Sequence, residues 1–454
     1  MTLFFFHESK KGVFYNHSPQ GCQVKGILVI LDGLGDLPID SLEGKAPLEV
    51  AETPNLNFLA TRGEMGYLYS VRPGFIPESD EAIVSIFGNE LTSSTRGQLE
   101  AKGAGINLAH GDLAFRVNFA TIDSLKEGNI IDRRAGRTLT TSEAEVLAKA
   151  LSKIKLPCDF IFKPTIQHRA SLVFKGGFSD NISGNDSIYA QGRTNIVNKI
   201  APIHPLDEDE NSQYASNIVN EFLDKAYEVL NTHPINEGRR KRGLLPANYI
   251  LIRTPGIDVP KLKLYTKWLS VAYMPLEKGF SQLSGMKVFS FDYPKLKSLD
   301  VYDNLWEGLK KACKFSQKVL RRNKNKFDYA YIHIKETDIP GHDNKPAEKI
   351  AMIEYLDKTL FKFLREFCPP NKINVVVTAD HSTPCKMKNH SADPVPVLFY
   401  NQSFPKIEKK VSFEKGNEKE VKITGEKFSE RESRKGSLGR MIAGEMLEKV
   451  GFLK

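Results

Sequence analysis

Residues 26–33 read GILVILDG and decide the fold, because a continuous apolar run stops abruptly at an aspartate and a glycine. Such a run is typical of a parallel strand that is buried on both faces. The stretch TPNLNFLATRG predicts a helix with Thr53 as its cap, Pro54 in its first turn and Gly63 as its stop. A second short helix is predicted for SDEAIVSIFG, residues 79–88, beginning at Ser79.

The C-terminal half repeats this alternation of strands and helices. The predicted strands are SVAYM (270–274), DYAYIHI (328–334), INVVVTA (373–379) and PVPVLFY (394–400). Between the second and third, a long amphipathic helix carries one apolar stripe, formed by Ile350, Ile353, Leu356, Leu360 and Phe363. Alternation of this kind predicts an α/β fold with a doubly wound, mainly parallel sheet.

The middle of the chain has a different pattern. From about residue 97 to 260 it has short β-like runs such as RASLVF, the polar cluster SDNISGND and a polar helix near 212–231. We therefore expect an inserted α+β domain at 97–260, and a main domain formed by 1–96 and 261–454. Residues 1–25 form a poorly patterned leader, and the segment 406–436, rich in lysine and glutamate, is expected to be a solvated surface hairpin or loop.

Composition narrows the class of protein. The 454 residues are 41% hydrophobic and 26% charged, as in ordinary globular proteins. The net charge of +9 is modest for this length and does not choose between anionic small substrates and nucleic acid. Five scattered cysteines without a CxxC pair favour a reducing compartment. No stretch approaches the roughly 20 apolar residues of a membrane span, so we expect a cytoplasmic protein.

Polar residues follow the predicted strands or open a helix, and they are candidates for a shared site. They are Asp32, Ser79, Asp338, His342, Asp380, His381 and His390. Ligands of open α/β sheets bind at the carboxyl ends of the strands, where neighbouring strands would bring these side chains together. Capping or surface exposure explains any one of them, but not the whole set.

Two local patterns raise questions about this set. In KETDIPGHD, residues 335–343, Asp338 and His342 are four apart, but Pro340 and Gly341 between them predict a rigid turn instead of a helix. Asp380 and His381 are neighbours, so in an extended backbone their side chains point to opposite sides. Two ions could then take one residue each, or one side chain could turn outward.

Carboxylates and imidazoles together suit Zn²⁺ or Mn²⁺ better than Ca²⁺, which prefers oxygen ligands. Two ions about 4 Å apart can hold the attacking and leaving oxygens of a phosphoryl transfer. A serine hydroxyl bound to one ion would lose its proton more easily and become a nucleophile. The positive end of its helix would favour the resulting anion.

A series of motifs resembles the archaeal-type, cofactor-independent phosphoglycerate mutases of the alkaline phosphatase superfamily. The motifs are DGLGD, APLEVAETPNLNFLATRGEMG, ESDEAIVSIFG, RGQLEAKGAGINLAHGDLAFRVNFAT, IDRRAGR, KETDIPGHD and ADHSTPCKMKNHSADPVPV. The resemblance runs from about residue 26 to the C-terminus and thins in 180–245, 285–325 and 401–425. It implies the alkaline-phosphatase type of sheet.

The resemblance also implies an activity and a set of ligands. The enzyme would interconvert 2- and 3-phosphoglycerate through a phosphoserine at Ser79, with two divalent ions and no bisphosphoglycerate. Mn²⁺ is the expected metal, with Zn²⁺, Co²⁺ or Mg²⁺ as alternatives. One ion would be held by Asp32, Ser79, Asp380 and His381, and the other by Asp338, His342 and His390.

Further residues in the matching motifs are candidates for substrate binding and proton transfer. Arg116, Arg133 and Arg134 offer bidentate geometry to carboxylate and phosphate. Asp132 is a candidate general base, and Lys335 a candidate for neutralising phosphate charge. The family usually has Gly-Ser-Asp-Thr at the nucleophile, whereas this chain has Glu78-Ser79-Asp80-Glu81. Extra carboxylates facing the site would repel a phosphoserine.

Two other functions are compatible with the sequence. A phosphomonoesterase or phosphotransferase of the same superfamily would use the same site on another phosphorylated metabolite, and a capping domain that excludes water would separate a mutase from a hydrolase. A non-catalytic protein that retains the metals is the third candidate, but the chain has no aromatic-basic motif of the RNA-binding kind. We expect a small phosphorylated substrate, with no nucleic acid and no membrane; the sequence does not indicate an oligomeric state.

Overall fold

The computed structural model describes residues 25–90, 96–186, 198–401 and 427–453. The leader, apart from Lys25, lies outside these ranges, as does the larger part of the lysine- and glutamate-rich segment. What we expect of residues 1–24 and 406–426 stays a prediction. For residues 427–436 the expected solvated hairpin or loop is wrong, because Glu430–Ser433 form a short helix and Phe428 is fully buried in the core. Within the described ranges no helix has the length and apolar character needed to cross a bilayer.

Within the described residues the strands divide between two sheets, a main sheet of eight strands and a second sheet of five. Those of the main sheet are β1 (Gly26–Leu31), β2 (Gly63–Tyr69), β8 (Trp268–Val271), β9 (Lys287–Phe289), β10 (Tyr329–Ile334), β11 (Asn374–Thr378), β12 (Val395–Tyr400) and β13 (Gly439–Ile442). Those of the second sheet are β3 (Leu113–Ile122), β4 (Ile130–Asp132), β5 (Phe160–Pro164), β6 (Arg169–Phe174) and β7 (Tyr249–Gly256).

The helices lie between these strands along the chain. They are α1 (Pro47–Val50), α2 (Pro54–Ala60), α3 (Ser79–Ile86), α4 (Arg96–Gly103), α5 (Thr141–Leu151), α6 (Glu210–Asn231), α7 (Pro234–Lys241), α8 (Pro275–Leu283), α9 (Val301–Asn323), α10 (Asp338–His342), α11 (Pro346–Leu356), α12 (Lys362–Phe367), α13 (Glu430–Ser433) and α14 (Ala443–Lys449). A π-helical turn, Asp357–Phe361, joins α11 to α12.

The main sheet has the strand order β13-β2-β12-β11-β1-β10-β8-β9. At its centre β1 pairs in parallel with both β10 and β11. Only β12 runs against its neighbours, because it pairs antiparallel with β11 and β2. Every residue of β1 is buried, as its uninterrupted apolar sequence predicts. The predicted α/β class with a mainly parallel sheet is confirmed.

The second sheet is antiparallel throughout, with the order β4-β3-β6-β5 and β7 also paired to β3. Its strands come from the segment predicted as an insert, between β2 and β8 of the main sheet. Aromatic side chains fill its core, where Phe174 and Phe160 both pack against Phe222 of α6. Each sheet therefore has a hydrophobic core of its own.

Local predictions near the site are partly wrong. Thr53 is the N-cap residue of α2 and Pro54 opens the helix, as predicted, although the Thr53 side chain makes no capping hydrogen bond. Gly63 begins β2 instead of ending α2. The predicted rigid turn in KETDIPGHD is the short helix α10, with Pro340 inside it. Proline is tolerated there because the N–H groups of a first helical turn have no intrahelical acceptor. The predicted apolar stripe is confirmed, since Ile353, Leu356 and Leu360 are fully buried in the core.

A buried lysine ties together the loops that carry the site. The ammonium group of Lys349, on α11, donates to Asp36 Oδ2 at 2.8 Å and to the Thr383 carbonyl at 3.1 Å. Asp36 lies in the loop after β1, and Thr383 lies in the loop after β11. The Asp36 carboxylate also accepts from the Cys385 backbone N–H. Both charged side chains are fully buried, so neither has water as an alternative partner.

Replacing this lysine should destabilise the protein strongly. Lys349→Met keeps most of the apolar volume but leaves the Asp36 carboxylate buried without a cation, which costs about 3–5 kcal/mol. The matched control is Lys358→Met in the π-helical turn, because the Lys358 side chain is 61% exposed and pairs with Glu354 at the surface. Its expected cost is below about 1 kcal/mol. Denaturant unfolding measures both variants, and equal costs would contradict the role given to Lys349.

Candidate metal centre

The candidate site lies where the strands β11, β1 and β10 end, side by side, at one edge of the main sheet. Asp32 follows β1, Asp338 opens α10 just beyond β10, and Asp380 follows β11. His390 precedes β12, whose antiparallel direction places its beginning at this same edge. The structure brings together all seven side chains proposed as ligands from the sequence, namely Asp32, Ser79, Asp338, His342, Asp380, His381 and His390.

One group of side chains surrounds Asp338. Its Oδ2 lies 3.3 Å from His342 Nε2, because the two residues are one helical turn apart on α10. Its Oδ1 lies 3.9 Å from His390 Nε2. The rings of His342 and His390 have centroids 5.1 Å apart. Two imidazoles therefore face one carboxylate.

The second group surrounds the imidazole of His381. Its Nε2 lies 3.2 Å from Asp32 Oδ1, 3.5 Å from Asp380 Oδ2 and 3.3 Å from Ser79 Oγ. Asp380 and His381 thus face the same space, and the prediction that they point to opposite sides is wrong. The reason is that β11 ends at Thr378, so the alternation of a strand no longer holds at these two positions.

The two groups form one continuous centre. The rings of His381 and His390 stack with centroids 3.7 Å apart and planes inclined by 23°. Asp338, His381 and His390 each offer a ligand atom within 4.8 Å of the others, and so do Asp32, His333 and Asp380. The centre thus contains two neighbouring groups of potential metal ligands.

Hydrogen bonds on the far side of the rings fix the histidine tautomers. His342 Nδ1 lies 3.1 Å from the Lys388 carbonyl, and His390 Nδ1 lies 2.9 Å from the Pro77 carbonyl. A carbonyl only accepts, so each Nδ1 carries the hydrogen. His381 Nδ1 faces Thr383 Oγ1 at 3.0 Å, and that hydroxyl donates its own hydrogen to Asp338. In the neutral rings, the Nε2 lone pairs therefore point into the centre, as metal ligands require.

The burial of these groups fits a divalent metal. Asp32 Oδ1 and Asp380 Oδ2 are inaccessible and accept no well-aligned hydrogen bond from the described residues. Burial and the neighbouring Asp380 raise the pKa of Asp32. Burial would lower the pKa of His381, but Asp380 and Asp32 outweigh it and raise that pKa to about 9. Bound cations would relieve this concentration of buried negative charge.

Lys335 brings a further positive charge to the centre. It follows β10, and its ammonium group contacts Asp32 Oδ2 and lies 2.8 Å from Glu277 Oε1 on α8. Burial would lower the pKa of Lys335, but Asp32 and Glu277 outweigh it and raise that pKa. The lysine therefore stays protonated beside the candidate ligands.

A small cavity of about 90 Å³ opens beside the centre. Asp32, Lys335 and Asp338 line it from the main sheet, and Arg134, Arg137, His168 and Arg169 line it from the second sheet and its connections. Burial and the nearby Arg169 lower the pKa of His168, so that imidazole is neutral. The cavity thus combines guanidinium groups with the candidate metal ligands, which suits a small anion.

The other residues predicted to contact the substrate do not line this cavity. Arg133 Nε lies 3.0 Å from Asp186, away from the residues that line the cavity. Arg116 Nε lies 3.5 Å from Glu100. Asp132 Oδ1 accepts from the backbone N–H groups of Arg134 and Gly136 at 2.7 and 2.8 Å, so the carboxylate shapes this turn. Only Arg134 of the predicted arginines lines the cavity.

The unusual carboxylates beside Ser79 are paired with Arg96. The Arg96 Nη1 atom lies 3.0 Å from both Glu78 Oε2 and Asp80 Oδ1. Glu81 points back, and its carboxylate accepts from the Glu78 backbone N–H at 2.8 Å. Burial would raise the pKa of Glu78, but His390, Arg96 and Arg116 outweigh it and hold that pKa at about 2. The arginine thus offsets negative charge next to the serine.

Several residues of the site are absent from the sequence prediction. They are Arg137, His168, Arg169, Glu277 and His333. Arg137 lies within the motif IDRRAGR, so its place in that motif could have indicated a role in the site. His168 and Arg169 are adjacent in sequence, and such a pair of polar residues could have been noticed in the same way. His333 is a polar residue within the buried strand β10, and a buried polar side chain is unusual enough to suggest a function. Glu277 offers no such signal.

Known proteins resemble this chain over most of its length. The family model described as 2,3-bisphosphoglycerate-independent phosphoglycerate mutase matches residues 60–236, and the metalloenzyme superfamily model matches residues 280–454. A 2,3-bisphosphoglycerate-independent phosphoglycerate mutase of Pyrococcus furiosus is 40% identical, over 92% of this chain and 94% of its own. One from Archaeoglobus fulgidus is 37% identical, over 93% of this chain and 96% of its own.

Solved structures lead to the same family. A protein from Pyrococcus horikoshii is 30% identical, with a TM-score of 0.69 over 95% of this chain and 98% of its own. The cofactor-independent phosphoglycerate mutase from Thermoplasma acidophilum is 29% identical, with a TM-score of 0.55 over 94% of this chain and 98% of its own. The chain therefore belongs to the family of 2,3-bisphosphoglycerate-independent phosphoglycerate mutases.

Proposed function

We propose that this chain interconverts 2- and 3-phosphoglycerate through a phosphoserine at Ser79, with two divalent ions and no bisphosphoglycerate. The observation that carries the proposal is the position of Ser79 Oγ, 3.3 Å from His381 Nε2 and next to Asp32. The arginine-lined cavity shares Asp32 with that group. A nucleophile, a ligand set and an anion pocket are thus combined in one place.

The proposed ligands follow the family resemblance. Asp32, Ser79, Asp380 and His381 would hold one ion, and Asp338, His342 and His390 the other. Two observations support this assignment: buried oxygens of Asp32 and Asp380 accept no well-aligned hydrogen bond from the part of the chain that the structure describes, and the Nε2 atoms of His342 and His390 face inward. When bound, the ions would favour the ionised serine hydroxyl and offset charge on the phosphoryl oxygens. We propose Mn²⁺, with Zn²⁺, Co²⁺ and Mg²⁺ as alternatives.

The chain's own residues would carry out the transfer. Ser79 Oγ loses its proton and attacks the phosphorus of the substrate, the bond from phosphorus to the glycerate oxygen breaks, and that oxygen takes up a proton. The other hydroxyl of the glycerate then loses its proton and attacks the phosphoserine, the bond from phosphorus to Ser79 Oγ breaks, and the serine takes up a proton. Lys335, protonated beside the cavity, would stabilise negative charge on the glycerate oxygen. Asp132 remains a candidate base, although its hydrogen bonds better support a role in positioning Arg134.

The guanidinium groups would bind the substrate. Arg134, Arg137 and Arg169 line the cavity, where bidentate contacts could hold the carboxylate and the phosphate of phosphoglycerate. Arg137 also lies 2.8 Å from Asp343, which limits its movement. We propose that these three arginines bind the substrate and that Arg116 and Arg133 support the surrounding structure.

We propose further that residues 97–260 form a capping domain on a main domain of 1–96 and 261–454. Two contacts between the sheets support it: the Arg137–Asp343 ion pair and a hydrogen bond of 2.9 Å from Gln167 to Asn304. A cap that excludes water would favour return of the phosphoryl group to glycerate over hydrolysis.

We also propose a cytoplasmic location, because Cys313, Cys368 and Cys385 are buried free thiols.

Ser79→Ala should abolish turnover without emptying the metal centre. The variant removes the nucleophile but only one of four proposed ligands to one ion. An enolase-coupled assay measures turnover, and elemental analysis counts the bound ions. Ser85→Ala, which removes a buried hydroxyl from the same helix, is the matched control and should keep its activity. Wild-type rates in Ser79→Ala would show that another group is the nucleophile.

The same assay separates the mutase from the phosphomonoesterase. Wild-type protein reconstituted with Mn²⁺ should form 2-phosphoglycerate from 3-phosphoglycerate and release little inorganic phosphate, because the capping domain excludes water. No bisphosphoglycerate is added. Phosphate release without 2-phosphoglycerate would establish a hydrolase, and the absence of both products would favour the non-catalytic protein.

Adjacent arginines should differ in their effect on catalysis. Arg134→Ala removes a guanidinium from the cavity, and a lost charged hydrogen bond lowers kcat/KM by about 100-fold. Arg133→Ala, in which the lost partner is Asp186, should change kcat/KM by less than about fivefold in protein that remains folded. Steady-state kinetics and melting temperatures are measured for both. A larger loss at Arg133 would restore the prediction made from sequence.

Arg96→Gln should slow the phosphoryl transfer. The substitution leaves Glu78 and Asp80 uncompensated beside the phosphoserine, so kcat is expected to fall by about 10- to 100-fold. Adding Glu78→Gln to this variant removes one of the two charges and should recover part of the loss. Steady-state kinetics measures kcat for the wild type and for both variants. If the double variant is slower than Arg96→Gln, charge compensation is not the role of Arg96.

A further inference from the structure

His333 is a buried histidine of β10 that the ligand set above leaves out. Its imidazole side chain has no exposed surface, and it lies two positions before Lys335 in the strand that leads to Asp338. A polar ring buried in this way requires polar partners. Its surroundings therefore indicate what it does.

The two ring nitrogens of His333 have different neighbours. Nδ1 lies 2.8 Å from the Tyr331 hydroxyl. Nε2 lies 3.5 Å from Asp380 Oδ2 and 4.0 Å from Asp32 Oδ2. Neither His333 Nε2 nor Asp380 Oδ2 makes a well-aligned hydrogen bond with the described residues. The imidazole thus faces two buried carboxylates across a gap.

The size of this gap fits a shared cation. A direct hydrogen bond would bring nitrogen and oxygen to about 2.9 Å. Ligand atoms that each lie about 2.0–2.2 Å from one ion are instead about 3–4 Å from one another. The separations of 3.5 and 4.0 Å fall in that range. All three ligand atoms lie within 4.8 Å of one another.

We propose that His333 Nε2 is an additional ligand of the divalent ion that Asp32 and Asp380 hold, with Nδ1–H donating to the Tyr331 hydroxyl. The inference rests on the proposed metal centre and adds a second imidazole to this ion, beside His381. Nitrogen ligands favour Mn²⁺, Zn²⁺ or Co²⁺ over Mg²⁺, which prefers oxygen. This position therefore selects against Mg²⁺.

Metal titration of variants tests the proposal. Metal-free wild type, His333→Ala and His333→Gln are titrated with Co²⁺ in a calorimeter, and the visible absorption of bound Co²⁺ is recorded. Glutamine can still donate a hydrogen bond to Asp380 but lacks the imidazole lone pair. We expect both variants to bind one of the two ions at least 100-fold more weakly, with a changed spectrum. His110→Gln, at an exposed histidine, is the control and should match the wild type.

The outcomes separate this inference from the proposed function. If His333→Gln binds both ions as tightly as the wild type does, His333 is only a hydrogen-bond donor and the inference is overturned, whatever the activity. If the wild type binds two ions but forms no 2-phosphoglycerate, the proposed function fails and the inference stands. A wild type that binds no ion refutes both.

Crystals of unaltered protein grown with Mn²⁺ test the same point without relying on a variant that folds. An anomalous peak about 2.0–2.4 Å from His333 Nε2 supports the assignment. A peak more than 3 Å away, with the Asp32 and Asp380 oxygens as its ligands, overturns it.

Discussion

The repulsion between buried carboxylates is the constraint on which the site depends. Because β11, β1 and β10 are adjacent and parallel, their ends place Asp380, Asp32 and Asp338 in one water-poor region. Burial and the neighbouring Asp380 carboxylate accordingly raise the pKa of Asp32. Such a cluster is unfavourable unless cations accompany it, and Lys335 supplies only part of that charge. Metal binding and folding are therefore linked, and bound ions should stabilise the folded chain.

Hydrogen bonds from residues that surround the candidate ligands hold the centre rigid. Thr383 links the two ligand groups, since it accepts from His381 and donates to Asp338. Its carbonyl in turn accepts from Lys349, the buried lysine that also binds Asp36. The ligands are thus held by a continuous network that reaches the core of the main sheet. Positioning of this kind reduces the rearrangement needed when charge moves during phosphoryl transfer.

Much of the fold, and the side chains that come together in the candidate site, could be predicted from the sequence, because buried strands and the polar residues at their ends have recognisable patterns. The continuous apolar sequence of β1 and the polar residues that follow the strands are examples of such patterns. The errors arose where tertiary context overrides a local rule: Pro340 is accommodated in α10, and Asp380 and His381 lie beyond the end of β11. Sequence could not choose between Arg133 and Arg134, since the turn around Asp132 sets their directions. His333 was missed because most residues of β10 are apolar, and the stretch was therefore interpreted only as a buried strand.

The relation between the two sheets explains how one centre could favour transfer over hydrolysis. A phosphoserine beside an activating metal centre is intrinsically open to attack by water, so the competing hydroxyl must be held in place and water excluded. Here the guanidinium groups come from the second sheet and its connections, whereas Ser79 and the candidate ligands belong to the main sheet and its loops. Substrate bound between them would add its own charges to the contacts that already join the sheets, such as Arg137 with Asp343. Binding and closure would then be the same event, and the phosphoserine would be exposed to water only when the cavity is empty.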